Sequence, residues 1–126
     1  MRKQYHFKPS KKGVLAWDVH RLVALSKGFP VIEVPVSDIK EIDETEYWFG
    51  HEDDKLTCRK IVEHSKLIRE VDMNFPIILF SDGSVADGMH RVCRALMDDL
   101  RTIKAVRFTI DPEPDYVGVA PNELPY

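Results

Sequence analysis

Only two cysteines occur in the 126 residues, and they form neither a Cys-x-x-Cys pair nor part of a metal-ligand cluster. Cys58 and Cys93 lie far apart, each inside a segment with helical patterning, which argues for reduced, partly buried thiols rather than a disulfide framework. No apolar run is long enough to span a bilayer, and the start, MRKQYHFKPSKKG, lacks the apolar stretch of a signal peptide. Together these absences point to a cytoplasmic protein with no membrane partner. Excess positive charge is missing too: the formal net charge is -3, so no overall field draws the chain to nucleic acid, and tight DNA binding is not expected. Internal repeats, low-complexity tracts and linkers are also absent.

What remains is an ordinary globular mixture, 44% hydrophobic and 31% charged, and the length suits one domain over 1–126 with one core. A basic, solvated segment occupies 1–13. Trp17 to Lys27 places apolar residues at helical spacing, with Gly28 and Pro30 as a stop. Val31 to Val36 alternates and is β-branched, while Pro35 assigns it to a sheet edge or a strand end. Ile39 to Lys55 is acidic and aromatic and reads as a long loop of the kind that forms lids or binding loops. Thr57 caps a helix to about Val71, with Cys58, Ile61, Val62, Ser65 and Ile68 on its inner face. Pro76 to Phe80 is a continuous apolar run, as in a strand covered on both faces. Ser81 to Ser84 turns, Val85-Ala86 returns to the sheet, and a further helix carries Val92, Ala95, Leu96 and Leu100 inward. Thr102 to Ile110 alternates as a last strand, and the proline-rich tail 111–126 runs extended over the surface. The fold class is α/β (α+β): a small mixed sheet with about three helices.

The stretch with chemistry in it is PIILFSDGSVADGMHRVCRAL, a strand, a turn and a short return leading directly into a helix. A helix N-terminus has unpaired N–H groups and the positive end of the macrodipole, so it attracts anions. Gly88 allows close approach to the backbone, His90 offers a ring nitrogen, and Arg91 offers a planar fork suited to phosphate oxygens. Asp87 either caps the helix or holds a metal ion or hydroxyl. The plainer alternative is a helix start with two surface residues.

These residues resemble the ParB-like and sulfiredoxin-like superfamily, whose members share a strand, a D-G-x-H-R or related turn, and a helix. The match covers roughly Val31 to Ile110. The resemblance implies a compact domain of that type in which Gly88, Met89, His90 and Arg91 contact nucleotide phosphates of ATP, ADP or CTP, with Mg2+. Sulfiredoxins are similar at this turn but need a cysteine where this chain has Met89, and a thioether cannot supply thiolate chemistry. Chromosome-partitioning members share Gly88 and Arg91 as a G-x-x-R box; their E-N-x-x-R box and helix-turn-helix domain have no counterpart here. Free serine kinases resemble the chain in D-G-x-H-R and in a preceding acidic loop. That likeness makes Asp43 or Glu44 the candidate base for a hydroxyl-bearing acceptor, with Glu41 and Glu46 behind them. A nucleotide-dependent phosphotransferase or hydrolase and a non-catalytic nucleotide sensor or interaction module therefore both stand. A nuclease is a third reading, without an evident path for a polyanion.

Other candidates are weighed on their own residues. His51-Glu52-Asp53-Asp54 has donors for a divalent cation but no metal-loop spacing, and reads as a solvated acidic turn. Of Tyr47, Trp48 and Phe49, two anchor the loop, and Trp48 is the candidate to stack on a nucleobase. His20 and His64 have no partner pattern and read as structural. Lys8, Lys11 and Lys12 belong to a flexible start. Tyr116 and Tyr126 dock on the domain or on a second subunit, as in a homodimer.

Overall fold

The computed structural model describes residues 4–45, 47–49 and 55–126. Among the described residues seven strands and three α-helices follow in the order β1 (Tyr5–Lys8), β2 (Leu15–Asp18), α1 (Val19–Ser26), β3 (Ile32–Pro35), α2 (Cys58–Glu70), β4 (Ile77–Leu79), β5 (Val85–Asp87), α3 (Met89–Met97), β6 (Thr102–Arg107) and β7 (Tyr116–Val117). They make a mixed α/β fold with two small sheets, one ordered β1-β2-β7 and one β3-β6-β4-β5. In the second, β4 runs parallel to β6, while the β3–β6 and β4–β5 pairs are antiparallel. Among the described residues no helix is long and apolar enough to cross a membrane.

Helix starts follow local chemistry. Asp18 accepts from the His20 amide at 2.9 Å and Thr57 accepts from the Lys60 amide at 3.2 Å, each satisfying a donor that the first turn leaves open. Trp17 and Asp18, expected inside the first helix, instead end β2. Pro35 ends β3 at the edge of its sheet, where its missing N–H removes no ladder bond. β6 stops at Arg107, short of Ile110.

The central strand β4 is buried on both faces, and the period of two sends its residues to different cores. Ile77 and Leu79 pack with Val36, Ile39, Val92, Ala95 and Ile103, whereas Ile78 and Phe80 pack with Trp17, Leu22 and Phe108. The second cluster joins the two sheets; the strands expected from the sequence stay together as β3-β6-β4-β5, and a second sheet is added because the basic start is not loose. Tyr5–Lys8 pairs along its whole length with β2, and Lys8 lies 4.3 Å over the Phe80 ring. In the tail, Val117 and Tyr116 pair with Leu15 and Ala16, Pro121–Glu123 forms a 3-10 turn, and Tyr126 meets Tyr5 edge-on at 5.2 Å.

Three further expectations are corrected. The segment after Val36 is not wholly loop, since Val36–Asp38 and Lys40–Asp43 form 3-10 turns that bury Val36, Ile39 and Glu41. Ile68 is the buried residue of α2, with Lys60 and His64 beside it half-buried at i−8 and i−4, while Ile61 and Val62 are 49% and 53% exposed. The helix is thus turned roughly a quarter turn from its apolar stripe. Leu96 on α3 and Leu100 just beyond it are exposed, and Met89, Val92 and Ala95 form the inner face of the helix. Cys58 is exposed and Cys93 half-buried, both as free thiols.

Candidate functional site

Asp87 does not cap α3. It ends β5, where it pairs with Ile78, and the N-cap is Gly88 at φ 105° with no side-chain cap. Strand pairing holds Asp87 in place, so the chain turns one residue later than expected, at the residue that tolerates a positive φ. A Cβ on Gly88 would lie 2.7 Å from Arg91 Nη2 and 2.8 Å from Ile77 Cγ2. Glycine is required here by the protein's own packing, whereas the sequence suggested room for a ligand.

Arg91 is turned back on the turn. Its Nη2 donates to Asp87 Oδ2 at 3.2 Å and to the Pro76 carbonyl at 3.3 Å, while its Nε is buried without a partner. Asp87, offered as metal ligand and catalytic group, is therefore committed to an ion pair. Met89, offered as a contact, is 7% exposed in the core and has only its amide to present. Among the described residues no three His, Cys, Asp or Glu side chains gather to hold a metal ion.

His90 has an unforeseen neighbour. Its Nε2 lies 2.7 Å from Nδ1 of His64, with the two rings 26° from parallel, so one proton between them makes a hydrogen bond linking α2 to α3. The Trp48 indole stacks on both imidazoles, 4.1 Å from His64 and 4.5 Å from His90, centre to centre. Burial above all, then His64 and Arg91, push His90 down to about 4; burial also lowers His64. Both rings are neutral at pH 7. In the sequence His64 has no visible partner, because that partner is 26 residues away on another helix; the i, i+4, i+8 series Lys60, His64, Ile68 is the local signal that it faces inward. One face of Trp48 is thus already used by the protein.

The acidic candidates separate. Asp43 and Glu44 are both exposed, but Asp43 lines a groove of about 700 Å3 with Leu96 and Leu100, whereas Glu44 lines another of about 910 Å3 with Glu41, Tyr47, Trp48 and Ser84. Glu41, ranked behind them, is the buried one: its Oε2 accepts from the Val85 amide at 2.6 Å. Burial first, then Glu41 and Asp87, push the Tyr47 hydroxyl upward, so it stays protonated as a donor. Glu46 and His51 to Asp54 lie outside the described residues.

The turn thus brings together an uncapped helix start, a neutral histidine pair and an arginine held by a carboxylate. That set can receive an anion on backbone amides, provided the anion competes with Asp87 for Arg91. The chain matches no family model, no curated protein and no solved structure.

Proposed function

We propose that this protein binds the phosphates of a nucleotide, ATP, ADP or CTP, at the start of α3. The observation that carries the reading is the first turn of α3: it opens on a positive-φ glycine without a side-chain cap and has His90 and Arg91 beside the open amides. The likeness of Asp87-Gly88-Met89-His90-Arg91 to the D-G-x-H-R turn of the ParB-like superfamily points the same way. Magnesium, in this reading, arrives with the phosphates, because Asp87 is bound to Arg91. A cytoplasmic setting accompanies the proposal, and DNA is not its ligand, given the net charge of -3.

Binding without turnover is favoured over phosphoryl transfer. Asp43 lines the groove away from Trp48, and Glu44, though in the groove that Trp48 lines, is exposed. A general base needs to sit about 3 Å from the proton it removes, or one water away. The buried Glu41 is spent on an amide.

The test is calorimetry with ATP, ADP and CTP, with and without magnesium. Arg91→Ala should weaken binding by about 1.5–3 kcal/mol, the contribution of a hydrogen bond to a charged group. An unchanged affinity removes this turn as the phosphate site.

A further inference from the structure

Beside the turn, the groove of about 910 Å3 has the size of a small-molecule site, and its lining differs in kind from the helix start. β1 supplies Tyr5 and Phe7, and the segment after the 3-10 turn supplies Tyr47 and Trp48, so the lining includes four aromatic residues. Its charges disfavour an anion. Glu41 and Glu44 both line it, and Lys8 donates to Ser84 Oγ at 3.2 Å while lying over the Phe80 ring. A phosphate placed there would face two carboxylates. His6 is a lining residue too, but its ring packs on Trp17 and Phe80 and its Nε2 is buried, so the polar groups that the lining presents are the hydroxyls of Ser10 and Ser84. Burial and the nearby Lys8 push the His6 ring down to about 4, so it adds no charge to the lining. The lining suits a flat, uncharged heteroaromatic ring with a polar edge.

We infer that this groove seats the nucleobase of the nucleotide whose phosphates lie at the start of α3, an inference that rests on the phosphate reading above. Two residues connect the places. Trp48 lines the groove and stacks on His90 of the first turn of α3. Val85 also lines the groove, and in extended strand it precedes Gly88 by about 10 Å, a distance that the sugar and first phosphates of a nucleotide cover.

The experiment compares ATP, CTP and inorganic tripolyphosphate by calorimetry on the full chain, for wild type, Phe7→Leu and Val14→Trp. Val14 lines the groove, and its carbonyl bond to the Gly118 amide is untouched by a new side chain. At least one nucleotide should bind about tenfold or more tighter than tripolyphosphate, the contribution of stacking one base. Both variants should remove that advantage and leave tripolyphosphate binding unchanged. Should Val14→Trp not fold, Phe7→Leu, which keeps the bulk and loses only the ring, carries the test. Tripolyphosphate binding as tightly as every nucleotide to wild type overturns the base site and leaves the phosphate site standing. A nucleotide advantage that survives in the folded variants also overturns it. Absence of binding by all three ligands overturns both readings.

Discussion

Acidification should loosen the fold through the His64–His90 pair. In the unfolded chain each imidazole takes up its proton near pH 6.5, whereas folding moves His90 down to about 4 and lowers His64 as well. Between those values the folded protein holds fewer protons than the unfolded chain. The contribution is therefore complete above about pH 6.5 and is lost as the pH falls through the window down to about 4. One added proton is tolerable, because it can sit on an outer nitrogen and leave the bond between the rings intact. A second places two N–H donors against each other across 2.7 Å, under the Trp48 indole. Facing charges set the balance: Lys60 opposes the first proton on His64 and Glu63 favours it, while Arg91 opposes one on His90.

For a fully desolvated ring, a fall from 6.5 to about 4 corresponds to about 3 kcal/mol. His90 is only half-buried, so solvent screening reduces this to about 1–2 kcal/mol. The assay is urea unfolding of wild type and His90→Gln at several values from pH 7.5 to pH 4.5. His6, also pushed down to about 4, titrates in the same window but is present in both proteins, so its share cancels in the difference. Wild type should lose about 1–2 kcal/mol more than the variant. Equal pH slopes for the two, or a wild-type stability that stays level on acidification, would refute the reasoning.

Five other substitutions test neighbouring parts of the site. Gly88→Ala should destabilise by about 1–3 kcal/mol in denaturant titration, since it adds a Cβ at φ 105° against Arg91 and Ile77. Glu41→Ala, which leaves the Val85 amide buried without an acceptor, should lower stability by about 1–3 kcal/mol, and Glu41→Gln, which keeps an oxygen there, by clearly less. If any hydroxyl acceptor is phosphorylated, Glu44→Ala should slow turnover about a hundredfold at unchanged nucleotide affinity, and Asp43→Ala should not; equal rates in both variants and wild type would leave the carboxylates without a catalytic role.

What the residues disclose in advance is the chemistry that stays within a few positions. Thr57 caps α2 through an amide three residues on, and the apolar run 77–80 can only be a strand covered twice. Pairing across the chain is less visible. YHFK looks like part of a charged tail until LAWD lies alongside it, and the choice between strand and cap for Asp87 is made by Ile78. The face of α2 is likewise decided elsewhere: its apolar stripe points one way, and the bond from His64 to His90 sets it another. At the candidate site the residue types were legible, but their commitments to one another were not.

Those commitments permit a decisive test of Asp87, which sequence alone offered as metal ligand, catalytic group or cap. The ion pair with Arg91 gives it a fourth role, as a competitor of the phosphate. The side chains of Arg91 and Asp87 are 19% and 24% exposed, so their attraction is only partly screened. An incoming anion must replace the carboxylate on the guanidinium, and it also meets a negative charge one residue before the helix N-terminus. Asp87→Asn removes both obstacles while keeping the shape and an acceptor oxygen for Arg91. Nucleotide affinity should therefore rise, by up to about tenfold or 1.4 kcal/mol. A carboxylate that held magnesium would give the opposite sign, with affinity falling most when magnesium is present. Calorimetry on the variant with and without magnesium separates the two outcomes, and a magnesium-dependent loss of affinity would return Asp87 to the role of metal ligand.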